Sequence, residues 1–99
     1  MTAIDARTRI GHVHLTVANL ERALAFYRDA LGFEITTRYG REAVFLSAGG
    51  YHHHIGLNTW AGEGAPAPAP GSTGLYHVAI LLPDRRALAT VVRRVLDRG

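Results

Sequence analysis

Six histidines carry most of the chemistry this chain can do: His12, His14, the run His52-His53-His54, and His77. Neutral imidazoles bind first-row divalent metals and exchange protons near neutral pH, so their spacing is the first thing to read. The run sits inside GGYHHHIGLNTW (49–60), far from either end and within a strand-like pattern, which sets it apart from a purification tag. There are no cysteines, so thiolate metal sites, disulfides and cysteine nucleophiles are all excluded, and any metal is held by nitrogen and oxygen.

Strands turn successive side chains to opposite sides, and this parity decides which imidazoles can meet. In RIGHVHLTV (9–17), Val13, Leu15 and Val17 share one face, and His12, His14 and Thr16 share the other. In the run, His53 is expected to face with Tyr51, Ile55 and Leu57 against a helix, as a structural or partly exposed residue. His52 and His54 then join Gly56 and Asn58 on the polar face. His77 lies on LYHVAILL (75–82), where the parity of a matching position, His12, sends it to the open face as well. Taken singly, His14 and His52 read as ordinary polar-face residues. Together, His12, His77 and one of His52 or His54 make a candidate metal set delivered by three strands.

The elements that must position them follow from the pattern. Asn19 is a helix N-cap before LERALAFYRDAL, whose Leu20, Ala23, Leu24, Tyr27 and Leu31 recur at helical spacing until Gly32 closes it. FEITTRY (33–39) and EAVFLSA (42–48) read as strands joined through Gly40-Arg41, and Gly49-Gly50 turns the chain into the strand YHHHIGLNT (51–59). Residues 61–74, AGEGAPAPAPGSTG, read as an extended Pro/Gly/Ala-rich linker. Beyond it come the strand 75–82 and a helix capped by Asp84, with Leu88, Val91, Val92, Val95 and Leu96 on one side.

A shift of 65 residues lays His77-Val78 on His12-Val13, Asp84 on Asn19, Arg93 on Arg28 and Leu96 on Leu31. That register implies an internal duplication. The fold class expected is α+β: a βαβββ module over 1–60, the linker 61–74, and over 75–99 the strand and helix that begin a second module. By the same comparison the second copy lacks about forty residues.

Bulk properties bound the rest. With 99 residues, 47% hydrophobic and 19% charged, this is one small globular unit. The net charge is +3 and all eleven basic residues are arginines, five of them in the last 15 positions. Without a recognised binding motif beside them they read as a solvated helix face, and no nucleic acid is expected. No apolar run reaches the ~20 residues of a membrane span, and MTAIDARTRIG has no signal core, so a cytoplasmic protein that avoids membranes is expected.

The stretch IGHVHLTVANLERALAFYRDALGFEIT (10–36) resembles the opening module of the glyoxalase, bleomycin-resistance and extradiol-dioxygenase superfamily, the vicinal oxygen chelate proteins. GGYHHHIGLNTWAG and GSTGLYHVAILLPDR resemble its catechol 2,3-dioxygenase-like branch. The resemblance covers residues 9–99. It implies paired βαβββ modules curled around a cavity, with ligands on the first and last strands of each. Carried over, those ligands fall on His12, His77 and, within the run, His54, with His52 as the fallback. The family's glutamate ligand has no counterpart here.

The resemblance therefore implies a metal-dependent enzyme, most like an extradiol ring-cleaving dioxygenase acting on a catechol-type substrate with vicinal oxygens. Fe(II) or Mn(II) is favoured, with Zn or Ni possible, and His14 and Tyr76 are the acid/base candidates. Alternatives are a glyoxalase-like lyase, or an antibiotic-binding protein that lines its pocket with Phe45, Tyr51, Trp60 or Tyr76. Half-barrels of this superfamily complete one another, so a homodimer is expected.

Overall fold

The computed structural model describes residues 2–75 and 77–98. Four strands, β1 (Val13–Thr16), β2 (Glu34–Tyr39), β3 (Ala43–Ser47) and β4 (Ile55–Asn58), form one sheet in the order β1-β4-β3-β2. β1 runs parallel to β4, while β4 with β3 and β3 with β2 are antiparallel. A helix α1 (Leu20–Leu24, continuing as a π-wound stretch Ala25–Ala30) crosses from β1 to β2, and α2 (Arg85–Asp97) is the last element among the described residues. This is the βαβββ module expected, a mixed sheet with one helix-covered face.

Local chemistry explains where α1 starts and stops. Asn19 is extended at φ −150°, and its side-chain oxygen accepts the Arg22 N–H at 2.9 Å, satisfying an otherwise orphaned helix donor. The π-winding is marked by the Leu31 N–H donating to Phe26 O, five residues back, at 2.9 Å. Gly32 then takes φ +96°, a left-handed conformation that only glycine adopts without strain, and the chain reverses into β2.

The core lies between α1 and the sheet. Leu20, Leu24, Val44, Leu46, Ile55 and Leu57 are buried there, with Val13, Leu15, Val17, Tyr27 and Ile35 packed around them. Each strand contributes alternate residues, as the parity argument requires. Removing this apolar area from water stabilises the unit by roughly 1.5–3 kcal/mol for each fully buried Leu, Ile or Val.

Three expectations are corrected in detail. The strand drawn over 51–59 forms only at Ile55–Asn58; residues 51, 52 and 54 are bends. The stretch 75–82 has no strand pairing among its described residues, and Val78 and Ile80 instead line an apolar cleft with Val13, Leu15, Phe26 and Tyr27. A strand exists only where its backbone finds a ladder, and these residues find a helix-side surface in its place. Finally, the apolar stripe of α2 is divided. Val91 and Val95 are half-buried, whereas Leu88, Val92 and Leu96 face outward.

Contact between the first module and α2 centres on one arginine. The Arg94 guanidinium donates from Nη2 to Leu31 O at 2.9 Å, capping a free carbonyl at the end of α1. It lies over Gly32, where a Cβ would sit 2.7 Å from Nη2.

Candidate metal centre

The face of the sheet away from α1 carries the histidines. β1 places His14 opposite Gly56 and Thr16 opposite Asn58 on the adjacent parallel strand. A Cβ at 56 would meet the His14 ring at 2.7–2.8 Å, so with glycine there the imidazole lies directly on the strand backbone. Thr16 donates its hydroxyl to Asn58 Oδ1 at 3.1 Å, and the Trp60 N–H donates to the same oxygen at 3.2 Å, which satisfies a buried amide.

His12 extends the row beyond the end of β1. Its ring lies 5.3 Å from that of His14, 4.4 Å from His53 and 5.9 Å from His52. His53 also packs 5.4 Å from His14 and 4.8 Å from Phe45. His53 is therefore on the open, polar side, not on the helix side where simple alternation puts it. The physical reason is the bend over 51–54: alternation holds only for extended residues, and regular strand geometry begins at Ile55. The bend brings His52 and His53, adjacent in sequence, to one side, with their Nδ1 atoms 3.0 Å apart.

A residue that parity did not single out anchors this loop. The pairing of β2 with β3 slips between Ile35 and Thr37, a bulge that leaves Thr36 out of register. The freed Thr36 hydroxyl reaches His52 O at 2.8 Å and Phe45 O at 3.2 Å, tying the histidine loop to the sheet. A bulge depends on strand pairing, so no local pattern in EITTRY announces it.

The ligand atoms that converge are those of His12, His52 and His53, all within 4.8 Å of one another. Among the described residues, no such group of three includes His14, His54 or His77. His54 is turned to β3: its Nδ1 accepts the Ala48 N–H at 3.2 Å and lies 3.3 Å from Ser47 Oγ. A backbone N–H can only donate, so Nδ1 presents its lone pair and the neutral ring carries its proton on Nε2. Arranged so, His54 has no lone pair to offer a metal. His77 is exposed on the segment before α2, and Tyr76 lies outside the described residues.

The fit to a divalent metal can be judged on two further observations. His53 Nε2 is buried and, among the described residues, has no hydrogen-bond partner. Burial, and then the neighbouring His12, His52, His14 and His54, hold the His53 pKa below its ordinary value, which keeps the ring neutral and able to ligate. An ion would satisfy such a group of imidazoles, so the donors present fit a divalent metal. The aromatic residues suggested for a ligand pocket are dispersed: Phe45 packs on His14 and His53, Tyr51 on His52 and His54, and Trp60 is largely exposed.

Comparison with known proteins agrees with the architecture. The chain matches the model of the Glyoxalase/Bleomycin resistance protein/Dioxygenase superfamily over residues 9–99, and it belongs to that superfamily. It is 48% identical to Catechol-2,3-dioxygenase of Bacillus subtilis (strain 168) over 99 residues, which is 99% of this chain and 35% of that protein. The chain thus spans about a third of the length of this curated relative. Among solved structures it resembles Lactoylglutathione lyase from Agrobacterium tumefaciens, with a TM-score of 0.65 and 22% identity, covering 95% of this chain and 72% of that one. That likeness shows a shared fold. No helix among the described residues is long and apolar enough to cross a membrane.

Proposed function

We propose that this chain belongs to a metal-dependent enzyme of the extradiol dioxygenase type, acting on a catechol-type substrate through its two vicinal oxygens. The observation that carries the reading is the gathering of His12, His14, His52 and His53 on the open face of a superfamily module whose named relative is a catechol dioxygenase. The metal ligands proposed are His12, His77 and, from the 52–54 run, His52, because His54 turns its Nδ1 lone pair to the Ala48 N–H. A carboxylate ligand for Fe(II) or Mn(II) would come from outside these residues. When bound, such an ion supplies Lewis acidity and a meeting point for dioxygen and both substrate oxygens.

The chain's own groups supply the proton chemistry and the surface. His14, packed over Gly56 beside His12, is the group proposed to take a proton from a substrate hydroxyl, and Tyr76 is the second acid/base candidate. Phe45 offers an aromatic floor beside His14 and His53 for a planar ring. We also propose that copies pair, because Leu81 at 96% exposure and Leu96 at 73% present apolar surface to water.

Anaerobic loading with Fe(II) or Mn(II), followed by catechol and dioxygen, tests the reading. The expected outcome is one equivalent of dioxygen consumed per ring opened, with both oxygen atoms in the product, and loss of turnover in His12→Ala. A metal-loaded protein that leaves catechol intact would refute it.

A further inference from the structure

The geometry points to a carboxylate-free binding site for a late first-row divalent cation (Zn2+, Ni2+ or Cu2+) built from His12, His52 and His53. It puts His53 where the set carried over by resemblance has His77 and takes His52, there only the fallback, as a full ligand, and it stands apart from ring cleavage, since binding needs no substrate.

Distances support it. The two Nδ1 atoms of His52 and His53 are 3.0 Å apart, close to the about 3.4 Å edge of a tetrahedron with zinc–nitrogen bonds of ~2.0–2.1 Å. The widest pair in the group spans no more than 4.8 Å, so the group closes on an ion by a shift of about 1.4 Å relative to that edge. His12 and His52 are exposed and free to make that rotation, whereas His53 is half-buried and held among Phe45, His14 and His12. One fixed donor and two adjustable ones suit an ion that arrives from solvent.

The chemistry selects the class of ion. Three neutral nitrogens with no carboxylate favour borderline ions over calcium or magnesium, which take oxygen ligands. A fourth position remains for water. The Thr36 hydroxyl on His52 O fixes the loop that carries two of the three ligands, and His54 is excluded by the Ala48 N–H on its Nδ1.

The test is zinc titration of the full chain by calorimetry, alongside imidazole nitrogen NMR of the wild type. One ion per chain is expected, with the side-chain signals of His12, His52 and His53 shifting and that of His54 unmoved. His52→Ala and His53→Ala should each weaken binding at least about tenfold, judging from ligand-shell substitutions in metal sites generally. His54→Asn, which keeps an acceptor for Ala48, should stay within about threefold. The site is overturned if the wild type takes up no zinc, if the shifting signals are those of His54 and His77, or if zinc is lost in His54→Asn and retained in His53→Ala. The wild-type NMR result decides the matter even where a variant fails to fold. Zinc held by His52 and His53 in a protein that leaves catechol untouched would sink the catalytic reading and leave this one standing.

Discussion

At the scale of single residues, His53 is the group whose environment departs most from expectation. Burial and its imidazole neighbours lower its pKa from the ordinary 6.5. Between the lowered folded value and 6.5 the unfolded chain binds the extra proton, so this contribution to stability rises with pH across the window. It is complete above 6.5 and is lost as pH falls toward the folded value. The urea midpoint of the metal-free protein should therefore drop more steeply below pH 6.5 in the wild type than in His53→Gln. Identical slopes would show that the ring titrates as if in water. Gly56 makes a second prediction. Alanine there improves strand propensity but drives the His14 ring off the backbone, so net stability should change by less than about 1 kcal/mol. The nuclear Overhauser contacts of His14 to His12 and Phe45 should vanish in Gly56→Ala; their persistence would mean the strand yields instead of the ring.

At the scale of elements, the helix start is encoded by one cap and the histidine loop by one bulge. Asn19→Ala removes the acceptor for Arg22 N–H and should cost about 1 kcal/mol, read from thermal or urea unfolding. A loss below a few tenths would show that packing of Leu20 and Leu24 alone sets the helix entry. The cap is legible in ANLERAL because capping is local chemistry, a side chain two or three residues from the donor it satisfies. The Thr36 bulge is not legible, because its cause is a register slip between β2 and β3. The same holds for the π-winding of Ala25–Ala30, which the helical periodicity of LERALAFYRDAL does not distinguish from an ordinary helix.

At the scale of the whole molecule, α2 and the segment before it rest lightly on the first module. Arg94 reaches Leu31 O, but α2 has no buried residue, and Leu81, Leu96 and Leu75 stand in solvent. If pairing of copies covers this surface, the wild type should run as a dimer at tens of micromolar by light scattering, and Leu81→Asp should weaken the dimer about tenfold or more, equivalent to ~1.4 kcal/mol. A wild type that stays monomeric at that concentration removes the pairing proposal.

What the sequence by itself determined is which side of the sheet each extended residue occupies. The alternation in VHLTV and the helical spacing after Asn19 are consequences of covalent geometry, and they correctly separated the Leu24–Leu46–Leu57 core from the face of His12, His14, Gly56 and Asn58. Tertiary structure alone decided which imidazoles meet. β1 and β4 are 42 residues apart in the Thr16–Asn58 contact, and their parallel pairing carries His12 to the histidine run. The bend over 51–54 then turns His53 toward it and leaves His54 to the Ala48 amide. Strand order and loop bends arise from contacts distant in the chain, so no local period records them.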